Sequence, residues 1–224
     1  MIILLDEKIK SKIKRRLNLK KYTLYNCENE KSYIEVLNQA FRGLRTEFKI
    51  NWVYESVKVR RMFEMVIGFD SAYYYFEEKK TEIFLKADCH KNIHRIKWEK
   101  FIDYILLIFE HEYIHKIQDQ RILKSGTDTL KLIDCDKLEG ENRWDYYNDG
   151  FERIPFACDT INQFMILGYS KDKILNILSN TEYKYKRYTF FDSILLYRKK
   201  GKISRKIYNK YLKYCYFYLN TKFK

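Results

Sequence analysis

The sequence has few of the residues that interrupt helices and strands, with one proline and seven glycines among 224 residues. It also has no apolar run long enough to cross a membrane, and its apolar start is too short for the core of a signal peptide. A disordered chain is excluded as well, because 46% of the residues are hydrophobic and disordered chains are poor in such residues. We therefore expect a folded protein of one domain, with or without an appendage, and no membrane segment.

Cysteines spaced like those of a zinc ribbon or a redox motif are absent too. The five cysteines are odd in number and scattered, and no two are spaced as C-x-x-C. They indicate reduced thiols rather than the paired disulfides of a secreted chain. We expect a cytoplasmic protein, with a virion-associated location as the alternative; the sequence does not indicate an oligomeric state.

Positive charge is plentiful but unevenly placed. The net charge is +14, to which residues 1–21 contribute +6 and residues 183–224 contribute +12, whereas residues 22–182 have a net charge of −4. The two ends are therefore where a polyanion would be attracted. The slightly acidic middle holds the motif around which the rest of the chain is organised.

That motif is His111-Glu112-Tyr113-Ile114-His115, an H-E-x-x-H pattern. Residues four apart lie on one face of an α-helix, so His111 and His115 would offer two imidazole nitrogens to one metal ion. Glu112 lies about 100° around the helix from His111, beside the metal rather than on it, where it would accept a proton from a water held by the metal. The pattern predicts zinc-dependent hydrolysis.

The residues around the motif predict a buried helix over about 97–120. Apolar residues lie on nearly every side of it, and Glu99, Asp103 and Glu110 form only a narrow polar stripe. A helix that is apolar almost all round is buried within a domain, where two histidines and a glutamate need partners. A metal ion would supply them; the alternative is a core in which other groups satisfy these side chains.

The residues alone leave the third zinc ligand open. Catalytic zinc takes three protein ligands and keeps one position for water. The extended pattern H-E-x-x-H-x-x-G-x-x-H is absent, because Gln118 and Arg121 occupy its later positions. The acidic candidates downstream are Asp128, Glu139, Glu141, Asp145, Asp149, Glu152 and Asp159.

Two stretches of the chain resemble one family of metallopeptidases. The first is HEYIHKIQ at 111–118, and the second is YYNDGFERIPFA at 146–157. Over about 98–180 the chain resembles the gluzincin type of zincin metallopeptidase, and in particular small phage and bacterial zincins with an H-E-x-x-H-x-x-Q stretch. In those proteins a glutamate some tens of residues downstream completes the zinc site.

The resemblance implies a fold, an activity and a set of site residues. The fold is α+β and zincin-like, with a small twisted sheet packed on the buried H-E-x-x-H helix and helices after it. The activity is hydrolysis of peptide bonds in a peptide or protein substrate. By this resemblance Zn²⁺ is held by His111, His115 and Glu152, and Glu112 is the general base.

One departure from the family's pattern affects Glu152. Pro155 stands where the pattern has alanine, and proline suits only the first turn of a helix. If a helix begins at Pro155, Glu152 lies in the loop before it; if Asp149 caps the helix, Glu152 completes a capping box instead of binding metal. Tyr146 and Tyr147, close to Glu152 in sequence, are the candidates for stabilising an oxyanion.

We expect the metallopeptidase domain to cover residues 1–182 and the segment 183–224 to form a basic, aromatic-rich helical extension. Basic side chains contact phosphates and aromatic rings stack on bases. The alternative function is therefore a nucleic-acid-associated or structural protein with a zincin-like fold and little activity. The other interpretation of the segment is a helix over 203–219 that packs on the domain through Ile207, Tyr211, Leu212 and Cys215.

Local patterns predict the remaining elements. Alternation of apolar and polar residues predicts a strand over 47–54 and a hairpin formed by 72–76 and 81–87. Helical spacing predicts helices over 6–17, 32–46, 155–168 and 172–179, the second of them with Ser32 as its N-cap and Glu35 in a capping box. His90 and His94 repeat the four-residue spacing, but in a charged stretch that favours exposed histidines over a second metal site.

Overall fold

The computed structural model describes residues 5–42, 49–55, 69–75, 80–86, 90, 93–95, 97–125, 152–180 and 189–224. Helices dominate these ranges. The strands within them are β1 Lys49–Glu55, β2 Phe69–Tyr75 and β3 Lys80–Lys86. The α-helices within them are α1 Glu7–Tyr25, α2 Glu30–Phe41, α3 Trp98–Ser125, α4 Arg153–Ile166, α5 Lys171–Ser179, α6 Phe190–Lys199 and α7 Arg205–Lys222.

The prediction of an α+β, zincin-like fold is wrong, because the described part of the chain is predominantly helical. The runs predicted as strands do lie in β1, β2 and β3, but they form only a small sheet of order β1-β3-β2. In this sheet β1 is parallel and β2 antiparallel to β3. Its main helical neighbour is α2, through β1, rather than the helix of the H-E-x-x-H motif.

Two helices extend beyond their predicted ends, and the composition explains why. The first helix is predicted to end at residue 17 but α1 continues to Tyr25, and α3 continues past residue 120 to Ser125. Neither range contains glycine or proline, the residues that end helices most effectively. Despite these lengths, no helix in the ranges described above is apolar enough over a sufficient length to cross a membrane.

The described elements fall into two compact units, divided inside α3 between Lys116 and Ile117. The first unit contains α1, α2, the sheet and α3 as far as Lys116. The second contains the rest of α3 and helices α4 to α7. The boundary predicted between residues 182 and 183 lies outside the described residues and stays a prediction.

The core of the first unit includes buried residues of α1, α2 and α3. The ring of Phe41 in α2 stacks on that of Phe109 in α3, with centroids 4.9 Å apart. The indole of Trp98 in α3 donates a hydrogen bond to Asn18 of α1 over 2.6 Å. Other buried members of this cluster are Ile13, Leu17, Leu24, Tyr33, Leu37, Phe101 and Ile105.

The N-cap of α2 lies three residues before the predicted one. The Asn29 side chain accepts a hydrogen bond from the Ser32 backbone N–H over 2.9 Å, so Asn29 is the N-cap. The prediction that Ser32 caps the helix is therefore wrong. Both residue types satisfy the free N–H groups of a first turn, and Glu30 adds a negative charge near the positive end of the helix dipole.

The core of the second unit includes the C-terminal helix. Helix α7 contacts α4, α5 and α6, and the Tyr211 hydroxyl lies 2.6 Å from that of Thr160 in α4. Tyr211 and Cys215 are buried, as predicted, whereas Ile207 and Leu212 are half-buried. Burial raises the pKa of the Cys215 thiol and of the Tyr211 hydroxyl, so both groups stay neutral in this core.

Helix α6 is missing from the sequence-based prediction, although the sequence contains a signal for it. The Thr189 side chain accepts from the Asp192 N–H, and the Asp192 carboxylate accepts from the Thr189 N–H over 2.9 Å. This is a capping box, and its pattern of Thr followed three residues later by an acidic residue is visible in the amino-acid sequence alone.

Candidate metal centre

Helix α3 carries the H-E-x-x-H motif within a long buried stretch. The buried residues run almost without interruption from Phe101 to His115, with only Asp103, Tyr104, His111 and Tyr113 half-buried. This confirms the prediction that the helix around the motif is buried. The polar residues of its central turns are therefore held in a largely water-free environment, where each needs a partner.

The two histidines of the motif come together on one face of α3. The Nε2 atom of His115 lies 3.1 Å from the Nε2 atom of His111. Their rings meet at 68° with centroids 4.8 Å apart. His115 is 5% exposed and His111 is half-buried. The four-residue spacing on the helix thus places two potential ligand nitrogens close enough to bind one metal ion.

This geometry fits a zinc ion. Two nitrogens that each lie about 2.0–2.1 Å from a tetrahedral zinc are about 3.3 Å apart, close to the 3.1 Å between the Nε2 atoms. The same separation suits a hydrogen bond in which one ring donates its Nε2–H to the other. Nitrogen donors at this spacing suit zinc better than calcium or magnesium, which take oxygen ligands.

Two glutamates flank His111 in the sequence, and both are 3% exposed. The Glu110 carboxylate accepts a hydrogen bond from the Leu5 backbone N–H over 3.3 Å and lies 3.5 Å from the Lys10 Nζ. These contacts tie α3 to the start of the chain, so Glu110 has a structural task. Glu112 lies on the other side of His111 and is the carboxylate that the motif predicts as the general base.

The third predicted ligand, Glu152, is the N-cap residue of α4 and is 4% exposed. The helix begins at Arg153, which places Pro155 in its first turn, where the missing N–H has no intrahelical partner to lose. The Glu152 side chain makes no capping hydrogen bond to its own helix. Its carboxylate is thus not used in the capping box that was the alternative to metal binding.

His111, His115 and Glu152 form a donor set that could hold one metal ion. Two nitrogens and one carboxylate are the ligands of many catalytic zinc sites, with a fourth position left for water. Asp159, another acidic candidate, lies seven residues after Glu152 in α4 and is 1% exposed. The other candidates, Asp128, Glu139, Glu141, Asp145, Asp149, Tyr146 and Tyr147, lie outside the described residues.

The second histidine pair has different surroundings from the pair in the motif. His94 is exposed and its ring packs 5.2 Å from that of Tyr25. His90 is buried, contrary to the prediction, with its Nδ1 atom 3.4 Å from a carboxylate oxygen of Glu30. A single carboxylate beside one buried imidazole explains its position without a metal.

The remaining predictions concern thiols and the C-terminal segment. Cys27, Cys158 and Cys215 are free thiols, in keeping with the predicted absence of disulfides; the other two cysteines lie outside the described residues. Tyr211 and Tyr218 of α7 are buried, whereas Phe217 of the same helix is 41% exposed. The nucleic-acid contact through residues 183–224 therefore stays a prediction. Comparison of the chain with protein-family models, with curated proteins and with solved structures finds no match.

Proposed function

We propose that the protein is a zinc-dependent peptidase. The observation that supports this most strongly is the 3.1 Å separation of the His111 and His115 Nε2 atoms on a buried helix. Two imidazoles in that arrangement suit one ion of tetrahedral preference. Glu112, next to His111 and 3% exposed, adds the proton acceptor that a hydrolase of this kind requires.

In this proposal His111, His115 and Glu152 hold the ion. Zinc bound there would supply a Lewis acid that polarises a peptide carbonyl and lowers the pKa of water to about 7. The burial of His115 and Glu152 serves this role, because charge interactions are stronger where water is excluded. The burial of His115 also restricts movement of its ring, which limits the reorganisation needed on metal binding.

Glu112 acts as the general base and then as the general acid. Its carboxylate accepts a proton from the attacking water and passes it to the nitrogen of the leaving amine.

The test of the metal site is zinc content per chain after zinc loading and removal of weakly bound ions. The wild type should hold about one zinc ion, and His115→Ala should hold almost none, because two donors no longer share one ion. His94→Ala is the matched control, since it removes an exposed histidine and should keep the zinc. A wild type without zinc, or equal zinc in all three proteins, would contradict the proposal.

The role of Glu152 is tested separately. Glu152→Ala should weaken zinc binding while leaving the His111–His115 pair in place, and the ion should be lost at lower chelator concentration. Cleavage of casein by the zinc-loaded wild type, stopped by a chelator, is the matching activity measurement. If Glu152→Ala binds zinc as tightly as the wild type, another residue is the third ligand.

A further inference from the structure

We propose that the outer face of α1 binds single-stranded nucleic acid. This outer face consists of Lys8, Lys12, Arg15, Leu19 and Tyr22. The proposal does not depend on the zinc site. It rests on three observations: the positive charge of α1, the contacts that its basic residues make within the protein, and the exposure of two large apolar side chains.

The five residues form one stripe along the helix. They are spaced by four, three, four and three residues, which keeps them within about 40° of a common direction at roughly 100° per residue. Leu19 is 76% exposed and Tyr22 is 78% exposed. The buried residues of the helix, Ile13, Leu17 and Leu24, lie on the opposite side.

Seven of the eight basic residues of α1 divide into two groups by their contacts; the eighth, Lys14, lies outside the stripe and interacts electrostatically with Asp103. The inner cations are engaged: Lys10 lies 3.5 Å from Glu110, Arg16 donates to the Ala40 carbonyl over 3.0 Å, and Lys20 donates to Gln39 over 3.3 Å. Lys21 lies over the Trp98 ring at 5.8 Å. Lys8, Lys12 and Arg15 have no salt bridge to any carboxylate in the part of the chain that the structure describes.

This division shows which charges are available to a partner. Three cations on one stripe span about 10 Å along the helix, at a rise of 1.5 Å per residue. Consecutive phosphates of a single strand are spaced by roughly 6–7 Å, so two or three of them can meet this row of cations. Tyr22 continues the stripe and offers an exposed ring for a base to stack on.

A membrane surface is the less suitable partner. A helix that lies in a membrane interface inserts a continuous apolar face. In α1 that face, formed by Ile13, Leu17 and Leu24, is fully buried in the core of the first unit. Only Leu19 and Tyr22 remain for insertion, and two side chains provide little apolar area. A flexible, phosphate-bearing strand with bases that stack matches this surface better.

The test is fluorescence anisotropy with a labelled oligothymidylate of about 20 nucleotides, longer than typical single-strand sites, titrated with the full chain over a range of salt concentrations. The triple variant Lys8→Gln, Lys12→Gln, Arg15→Gln should bind at least about tenfold more weakly. Its slope of log affinity against log salt should be shallower by about 2, since each lost phosphate contact removes roughly 0.7.

The matched control is the triple variant Lys206→Gln, Lys210→Gln, Lys213→Gln. It removes the same charge from exposed positions of α7 and should retain most of the affinity. If both triple variants lose affinity equally, binding follows the net charge of the chain and the assignment to α1 is overturned. Absence of binding by the wild type overturns it as well.

Substitutions at Tyr22 separate stacking from membrane insertion. Tyr22→Ala should weaken oligonucleotide binding about tenfold while Tyr22→Phe retains it, because stacking needs the ring and not the hydroxyl. The same proteins are also mixed with vesicles of phosphatidylserine and phosphatidylcholine. Vesicle binding that falls equally in Leu19→Ala and Tyr22→Ala, with no oligonucleotide binding, would show a membrane surface and overturn the proposal.

Discussion

Helices α1 and α3 differ in the burial of their ionisable residues. In α1, eight basic residues lie between 8 and 21, and the exposed ones remain in water. In α3, by contrast, Glu110, Glu112 and His115 are buried. Ionisable side chains thus occur in both helices, at very different energetic cost.

The difference shows where function is to be expected. A charge in water costs almost nothing and is easily replaced, whereas a buried charge is retained only with partners that compensate for its lost hydration. For Glu110 the partners are Lys10 and the Leu5 N–H. For Glu112 and His115 the proposed partners are a metal ion and a substrate. Four measurements test whether buried residues matter more than exposed ones in these two helices.

The largest effect is expected from Glu112→Gln. A neutral amide matches glutamate in size but cannot accept the proton, so peptidase activity should fall by about 10²- to 10⁴-fold with zinc and fold retained. The measurement is casein cleavage by zinc-loaded protein with a chelator control. Glu110→Gln is the matched control, since it alters the other glutamate that flanks His111, and it should keep most of the rate. Equal, chelator-insensitive cleavage by all three proteins would mean that Glu112 is not the base.

The next effect concerns two leucines of α1 with opposite burial. Leu17 is fully buried and Leu19 is 76% exposed. Leu17→Ala should lower the free energy of unfolding by about 2–5 kcal/mol, because it leaves a cavity in the core. Leu19→Ala should change it by no more than about 0.5 kcal/mol. Urea denaturation of both variants makes the comparison, and similar losses would show that the outer face of α1 is covered in solution.

A smaller effect is expected at the ion pairs of Lys10. Its Nζ lies 2.8 Å from the exposed Glu7 and 3.5 Å from the buried Glu110. Glu110→Ala should cost about 1–3 kcal/mol, because the Leu5 N–H and Lys10 lose a buried acceptor. Glu7→Ala should leave the thermal midpoint almost unchanged, since exposed pairs contribute little. If Glu7→Ala destabilises the protein more than Glu110→Ala does, burial does not determine how much each ion pair contributes to stability.

The smallest effect is a pH dependence at Asp103 of α3. Burial raises the pKa of this carboxyl above its ordinary value, with Lys14 acting in the opposite direction and Glu99 in the same direction as burial. A raised pKa in the folded state means that stability is present below the ordinary pKa and lost as pH rises through the raised one. Asp103→Asn cannot titrate, so its stability relative to wild type should increase from pH 3 to pH 6. Thermal unfolding at both values measures this, and a difference that does not change with pH would contradict it.

Several features of the fold were predictable because they depend on neighbours in sequence. The buried helix around the motif follows from apolar residues on nearly every side, and the convergence of His111 and His115 follows from helical geometry alone. Helix α6 was equally predictable, since Thr189 and Asp192 carry its capping signal.

Other features depend on residues far apart in the chain. Alternation locates β1, β2 and β3, but it does not show that the sheet is small and lies beside α2. The burial of His90 depends on Glu30, sixty positions earlier. The fold class was therefore mispredicted although most elements were placed correctly, because class depends on how elements pack and not on their local patterns.

The sequence by itself determined the chemistry available at the candidate site: two imidazoles on one helical face with a glutamate beside them. Tertiary structure alone decided that Glu110, the glutamate before His111, has a structural task. Glu110 and Glu112 are chemically identical and equally buried. Leu5 and Lys10, about one hundred positions earlier, lie against Glu110, and no local pattern encodes a contact of that separation.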